Sequence, residues 1–244
     1  MQWLLILLAG VSAGALNALA GGGSFITLGM LVLAGLDPRA ANVTSTMALF
    51  PGQAASGYAG RDLVAGIQGL SFKTLFLVSL VGGVVGALLL LATPSTLFAS
   101  LVPWLVLFAT AVFFWGSFIR RPTEETRLGP IAAGTAQFAI AIYGGYFGGG
   151  IGFMMLAVLT VAGMAVKSAS ATKNALAVAM NASAVAIFAL SRDVYWLHAA
   201  VLGAGGIAGG LGGAWLLPRI NETLLRGGVV AIGIALAAAM FTRG

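Results

Sequence analysis

The stretch SATKNALAVAMN, residues 170–181, places polar side chains in an otherwise apolar part of the chain. Lys173 stands in it between Thr172 and Asn174. A charged group is costly to bury in an apolar segment, so an ionisable residue there indicates a function by default. We therefore predict that Lys173 contacts an anion directly and that Thr172 and Asn174 add hydrogen bonds. The alternative is that Lys173 extends its charge to an aqueous interface.

A related stretch, NVTSTMALFPGQ, lies in the first half of the chain, at residues 42–53. It supplies Thr44 and Ser45 as further hydrogen-bonding candidates. Helix capping is an alternative role for Asn42, Thr44 and Ser170, because Ser, Thr and Asn are favoured at helix starts. Capping does not account for the amide side chains deeper in the two stretches. The secondary candidates for the site are Asn42, Gln53, Tyr146 and Asn181.

Glycine triples interrupt two apolar runs, at residues 21–23 and 148–150. Glycine within a helix costs roughly 1 kcal/mol relative to alanine, so a triple is typical of a break. A helix that restarts after a break presents free N–H groups and the positive end of its dipole, which bind anions. We expect the second arms to begin at Phe25 and Ile151. The backbone candidates for anion binding are Gly22, Gly23, Ser24, Gly149, Gly150 and Ile151.

Glycines also allow helices to pack closely, and this is the alternative role for the triples. Other glycines recur at the spacing of a helix-packing face. For these we favour packing over a binding role. They are Gly82, Gly86, Gly205, Gly209 and Gly213.

The composition is that of a membrane protein. Of 244 residues, 60% are hydrophobic and 7% charged, and the mean hydropathy is +1.05, whereas a soluble domain carries roughly 25% charged residues. Apolar runs of about 20 residues match spanning helices, so we predict an all-α polytopic fold. The absence of cysteine excludes disulfides and thiolate metal sites. The net charge of +6 comes mostly from arginines that flank apolar segments, and it does not indicate nucleic-acid binding.

Eight apolar segments form two halves of four. The polar connection RRPTEETRLGP, residues 120–130, separates a first unit, residues 1–119, from a second unit, residues 131–244. Motifs recur between the units: the first glycine triple aligns with the second, Gly35 with Gly163, and ANVTST with ASATKN. We infer that one four-segment unit has been duplicated. The segments are residues 2–36, 41–59, 68–92, 97–119, 129–166, 171–190, 194–217 and 224–242.

The first segment of each half, residues 2–36 and residues 129–166, is too long for a single span, because roughly 20 residues cross the hydrocarbon core. We interpret each as two arms that enter and return at the glycine break. This places nine lysines and arginines on one side and three on the other, whereas single spans give seven and five. The second half is then inverted relative to the first, with the central connection cytoplasmic and both termini outside. Because no basic residue precedes the N-terminal apolar run, we expect it to be retained rather than cleaved as a signal.

Enzyme chemistry lacks the residues it requires. The single histidine, His198, has no visible partner for a serine protease beyond the remote Ser24. The aspartates fall in predicted loops, whereas an intramembrane aspartyl protease needs two on helices. Metal ligands do not cluster. We therefore predict a protein that is not an enzyme and uses no metal or cofactor. The DPR tripeptide at residues 37–39 predicts a turn with a local ion pair.

The paired motifs NALAGGGSF…GLDPRAANVTST and YGGYFGGGIGF…VKSASATKNA resemble the TauE/SafE family of sulfite and organosulfonate exporters. The resemblance extends over essentially the whole chain. It implies transport of a small sulfur-containing or carboxylate anion, with ion coupling, across a bacterial inner membrane. Some relatives use cysteines to handle thiosulfate, a route that this chain lacks. The chain also departs from the pattern, because Lys173 adds a cation that the first half does not have.

These observations predict a multi-pass inner-membrane carrier that exports sulfite or a small organosulfonate by alternating access. Its partners are the small anion, a coupling ion such as the proton, and the lipid bilayer. An anion channel on the same scaffold is one alternative, and a non-transporting membrane assembly factor is another. The sequence does not indicate an oligomeric state.

Overall fold

The computed structural model describes residues 1–19, 22–119, 128–216 and 222–242. These residues are helical apart from the connections, and they contain no strand beyond one isolated bridge between Ile67 and Leu70. The all-α prediction is confirmed. The helices are α1 (Gln2–Leu19), α2 (Gly23–Leu33), α3 (Pro38–Ala59), α4 (Phe72–Ala92), α5 (Ser95–Phe114), α6 (Pro130–Tyr146), α7 (Ile151–Val161), α8 (Val166–Phe188), α9 (Trp196–Leu216) and α10 (Glu222–Phe241).

Three of these helices are long and apolar enough to cross a membrane alone: α4, α5 and α8. Shorter apolar stretches lie in α1, α2, α7, α9 and α10. Large apolar side chains such as Leu88, Trp104 and Leu211 are exposed on the outer surface, as expected of helices that face lipid.

Both long first segments are broken at their glycines. In the first, α1 ends at Leu19 and α2 starts after Gly22, whose φ of 93° is left-handed. In the second, α6 and α7 are separated by a turn in which Gly150 has a φ of 76°. Side chains with a Cβ rarely adopt this conformation, which explains the glycines. Helix α7 begins at Ile151 as predicted, but α2 begins at Gly23 rather than at Phe25, because Gly22 already supplies the turn. Gly21 lies outside the described residues.

The structure corrects the alignment of the two glycine triples by one position. Gly22 and Gly150 occupy the same left-handed position before helices of equal length, 11 residues each. Both helices end at a left-handed glycine, Gly35 with a φ of 94° and Gly163 with a φ of 92°. Gly22 therefore corresponds to Gly150, and not to Gly149 as the order within the triples suggests. Three consecutive glycines look alike in sequence, and only the backbone shows which of them turns.

One repeat alignment, which pairs Gly22 with Gly150 and Gly35 with Gly163, now relates the two halves. By it, α6, α7 and α8 correspond to α1, α2 and α3, and α9 and α10 follow as the counterparts of α4 and α5. Helix α1 packs on α9 and α4 packs on α6, while α3 packs on α8 and α5 on α10. This pattern is unchanged when the halves are exchanged, as a two-fold relation between them requires.

Glycines allow the close contacts of α1 with α9 and of α4 with α6. The packing role expected for Gly82, Gly86, Gly205 and Gly209 is confirmed. A Cβ at Gly205 or Gly209 would collide with the backbone of α1, and one at Gly82 or Gly86 with α6. The backbones therefore approach closely at both places. The surroundings of Gly213 are outside the described part of the structure, so its role stays a prediction.

The turn between α2 and α3 is held by its own residues. The Leu36 N–H donates to the Leu31 carbonyl at 3.1 Å, which closes the end of α2. The Asp37 carboxylate caps α3 by accepting from the Arg39 and Ala40 N–H groups at 2.9 and 3.3 Å. The predicted ion pair within the DPR turn is wrong, because Asp37 is used as the cap and the Arg39 guanidinium pairs with Asp193 instead.

Candidate functional site

The two breaks lie close together inside the protein. Phe25, on α2, is 1% exposed, and its Cε1 atom lies 2.9 Å from where a Cβ at Gly149 would be. On their other sides, Gly22 faces Val229 of α10 and Gly150 faces Ala109 of α5. Backbone that leaves the helical conformation at membrane depth is stable only where protein or water surrounds it. Here protein surrounds both breaks, and the Phe25 ring lies between them.

The first break is filled by hydrogen bonds within the protein. The Gly23 N–H donates to Asn17 Oδ1 at 2.9 Å, so the start of α2 has a side-chain cap. The Thr27 hydroxyl bonds the Ser45 hydroxyl and lies 3.1 Å from the Ser24 carbonyl. Thr27 and Ser45 are both buried. The Gly23 N–H and the hydroxyls of Thr27 and Ser45 are thus neutral groups that already have partners.

The second break has a cation at the corresponding place. Lys173 is the counterpart of Ser45 in the repeat alignment, and its Nζ lies 3.6 Å from where a Cβ at Gly152 would be. Met155 stands at the counterpart of the hydroxyl residue Thr27. Within the described residues, the Ile151 and Gly152 N–H groups have no acceptor like Asn17, and Lys173 has no carboxylate partner. A positive side chain therefore lies beside the positive end of α7, and no carboxylate of the described residues is paired with it.

Two predicted hydroxyl contacts, Thr44 and Thr172, bond loops of the opposite half. Thr44 Oγ1 donates to the Asp193 carbonyl at 3.3 Å and accepts from the Tyr195 N–H at 3.1 Å. Thr172 Oγ1 lies 3.0 Å from the Ala65 nitrogen and 3.2 Å from the Ala65 carbonyl. Both threonines are fully buried. Their hydroxyls fix the α8–α9 loop and the α3–α4 loop in equivalent ways.

The secondary candidates lie along the contact between α3 and α8 and at the end of α6. Asn181 Nδ2 donates to Gln53 Oε1 at 2.6 Å, and these two residues are counterparts in the repeat alignment. Asn42 Nδ2 donates to the Tyr146 carbonyl at 3.1 Å, and the Tyr146 hydroxyl bonds Thr93 Oγ1 at 3.3 Å. Asn174 is partly buried on α8, and its carbonyl faces Gly57.

The capping roles considered for Asn42, Thr44 and Ser170 are wrong. Helix α3 begins at Pro38 and α8 at Val166, so all three residues lie at least one turn inside. Asp37 caps α3 instead. The DPR tripeptide predicted a local ion pair for this residue.

Sequence reasoning missed four residues that shape the site: Asn17, Thr27, Gly152 and Gln137. Asn17 stands shortly before Gly22 and could have been considered as a cap. Gln137 is fully buried, donates to Ser79 Oγ at 2.9 Å and approaches Met155 Sδ at 3.4 Å. Its Oε1 atom has no partner among the described residues. The presence of a glutamine in an apolar helix could have identified Gln137 from the sequence.

Comparison with known proteins places the chain in a family. A family model described as sulfite exporter TauE/SafE matches residues 6–240. The chain belongs to the TauE/SafE family. A probable membrane transporter protein of Haemophilus influenzae is 28% identical over 95% of this chain and 91% of its own length. The probable membrane transporter protein ORF9 of Sinorhizobium is 29% identical over 92% of this chain and 87% of its own length. The probable membrane transporter protein YfcA of Escherichia coli K12 is 26% identical over 93% of this chain and 84% of its own length. No solved structure matches.

The TauE/SafE membership and the apolar helices together establish the broad function. The chain is a multi-pass membrane transporter of the TauE/SafE type, and it is not an enzyme. A transporter of this type acts on a small molecule in a lipid bilayer.

Proposed function

We propose that this TauE/SafE protein exports a small sulfur-containing anion, sulfite or an organosulfonate, across the inner membrane by ion-coupled alternating access. The observation that carries the proposal is Lys173, which lies beside the start of α7. Among the described residues, this lysine has no carboxylate partner and the α7 start has no side-chain cap. An anion at this place would gain a charge-assisted hydrogen bond together with the field of the helix end. The choice of a sulfur-containing anion is supported by the description of the matching family as a sulfite exporter.

The proposed site includes the backbone of both breaks and the polar stretches of α3 and α8. Its residues contribute N–H groups, hydroxyls, an amide and one ammonium. The amide of Gly23 is bonded to Asn17 in this conformation, so its use by the substrate requires that bond to open. The proposed set is Gly22, Gly23, Ser24, Thr44, Ser45, Gly149, Gly150, Ile151, Thr172, Lys173 and Asn174, with Asn42, Gln53, Tyr146 and Asn181 in supporting positions.

The two-fold pairing of the halves supports alternating access. Inverted repeats with broken helices are typical of carriers in which one half rocks against the other around a central site. The contacts of α1 with α9 and of α4 with α6 are counterparts, and so are the two breaks. We propose that the halves are inverted in the membrane, with the central connection in the cytoplasm.

A flux measurement in inverted membrane vesicles tests the proposal. [35S]sulfite or sulfoacetate uptake is measured with and without an imposed pH gradient, because export from the cell appears as uptake into such vesicles. We expect saturable uptake that changes with the gradient in the parent, and uptake reduced to background in Lys173→Gln. Lys167→Gln is the matched control, because Lys167 is exposed on the same helix.

Two other results would contradict the carrier proposal and favour an alternative function. Ohmic anion currents in planar bilayers without saturation would show a channel on the same scaffold. Absence of flux for every small sulfonate, together with a stable protein partner on purification and no effect of Lys173→Gln on the cellular phenotype, would show an assembly factor.

A further inference from the structure

One partly buried ion pair joins the two halves of the molecule. The Arg39 guanidinium, near the start of α3, lies 3.2 Å from each carboxylate oxygen of Asp193 in the α8–α9 loop. Its Nη1 also donates to the Thr93 carbonyl, in the α4–α5 connection, at 2.9 Å. The Arg39 and Asp193 side chains are 20% and 22% exposed. Charge-assisted bonds shielded from solvent to this degree are stronger than those of an exposed pair.

The same ion pair is connected to the second break. Thr93 Oγ1 accepts from the Tyr146 hydroxyl at 3.3 Å, and the Tyr146 carbonyl accepts from Asn42 Nδ2 at 3.1 Å. Tyr146 is the last residue of α6, directly before the turn at the second glycine triple. A movement of the second break would therefore be transmitted through Tyr146 and Thr93 to the bonds of Arg39.

The opposite end of the molecule has no equivalent ion pair among the described residues. The counterpart of Arg39 is Lys167, which is exposed, and the counterpart of Asp193 is Ala65. The loops themselves are equivalent, because Thr44 bonds the Asp193 carbonyl as Thr172 bonds the Ala65 carbonyl. The two ends are thus similar in their loops, and among the described residues the ion pair is present at one end and not at the other.

We propose that the Arg39–Asp193 pair, with the Thr93 carbonyl, is a latch that closes one end of the transport path and opens once in each cycle. It stabilises the conformation in which the α8–α9 loop lies over the start of α3. No equivalent ion pair holds the other end within the described residues, so the latch biases the carrier toward the conformation seen here. This role holds for any transported substrate.

A single engineered cysteine reports the opening, since the chain has no cysteine of its own. Ser45→Cys puts a thiol at a buried position beyond Arg39 on α3, about 9 Å deeper along the helix at the rise of an α-helix. Its rate of reaction with charged methanethiosulfonate reagents is measured on purified protein in lipid nanodiscs. A cationic and an anionic reagent are both used, so that a change in local charge is separated from a change in opening.

We expect Arg39→Gln and Asp193→Asn each to raise the labelling rate of Ser45→Cys about tenfold with both reagents. Tenfold corresponds to about 1.4 kcal/mol less stability of the closed end. The charge-exchanged variant Arg39→Asp with Asp193→Arg should return the rate to within about threefold of the Ser45→Cys parent. The matched control is Arg61→Gln with Asp62→Asn, an exposed local pair at 3.8 Å, which should leave the rate unchanged.

Unchanged labelling after neutralisation would overturn the latch. Opposite changes for the two reagents would also overturn it, since they would show an effect of charge on the reagent alone. If Arg39→Gln does not fold, Asp193→Asn decides the question, because it leaves Arg39 bonded to the Thr93 carbonyl. Labelling needs no substrate, so these results do not depend on whether sulfite is transported.

Discussion

The two glycine breaks have the same backbone and different chemistry. Gly22 and Gly150 turn in the same left-handed conformation, and each starts an 11-residue helix. Around the first break, Asn17 caps the helix and the hydroxyl residues bond one another. Around the second, Lys173 lies beside a helix start for which the described part of the chain provides no side-chain cap. The two halves therefore share the turn, while the side chains around the two turns differ.

The difference predicts unequal roles for the two breaks. A ligand at the first break has to displace a bond that the Gly23 N–H already makes, and the net gain from exchanging one hydrogen bond for another is small. A ligand at the second break meets an ammonium and N–H groups without acceptors in the described residues. The anion is therefore expected to bind more strongly there.

The largest expected effect comes from Lys173→Gln. Hydrogen bonds to charged groups contribute about 1.5–3 kcal/mol, so the apparent affinity for sulfite or an organosulfonate should fall at least about tenfold. Ser45→Ala, at the counterpart position, should change it less than about threefold. Affinity is measured by ligand-dependent thermal stabilisation of the purified protein. Equal losses at the two positions would show that the breaks bind the anion equally.

Substitution of the turning glycines should affect both breaks alike. Gly22→Ala and Gly150→Ala each force a Cβ into the left-handed region, at a cost of about 1–2 kcal/mol. The new Cβ would also meet Val229 at 2.8 Å and Ala109 at 3.0 Å, respectively. Thermal unfolding in detergent measures the loss.

Gly52→Ala on α3 is the control for these two variants, because a Cβ there meets open space. It should be neutral or stabilising, since alanine is the better helix former by about 1 kcal/mol. If Gly22→Ala behaved like Gly52→Ala, the strained turn at the first break would be contradicted.

Asn17→Ala should destabilise the first break alone. It removes the cap from the Gly23 N–H, and the loss of such a cap costs about 1 kcal/mol. Ser12→Ala on the same helix is the control, because the exposed Ser12 hydroxyl bonds the Leu8 carbonyl of its own helix and no other partner among the described residues. Unfolding measurements that place the two variants at equal stability would contradict the capping role.

The smallest expected effect is that of Gly152→Ala. Its Cβ would lie 3.6 Å from Lys173 Nζ, an ordinary van der Waals contact, so stability should change by less than about 0.5 kcal/mol. Affinity for the anion should remain within about twofold of the parent in the thermal titration. A large loss of affinity with unchanged stability would show that the anion occupies the space beside Gly152, which would place the site more narrowly.

The features that the sequence determined by itself are local ones. Hydropathy over about 20 residues identified the helices of a membrane protein, because the cost of leaving backbone groups unbonded in lipid acts on every segment separately. Glycine triples located both breaks closely, since only glycine adopts left-handed φ at low cost. The recurrence of ANVTST as ASATKN indicated a duplication and placed Lys173 opposite Ser45.

The tertiary structure alone decided which groups meet. Arg39 pairs with Asp193, 154 residues away, Asn42 with Tyr146, 104 residues away, and Asn181 with Gln53, 128 residues away. No helical or loop pattern encodes such partners, because they depend on how the halves pack. Packing therefore determined which partners these groups have, whereas the contrast between Ser45 and Lys173 at the two breaks is already present in the sequence.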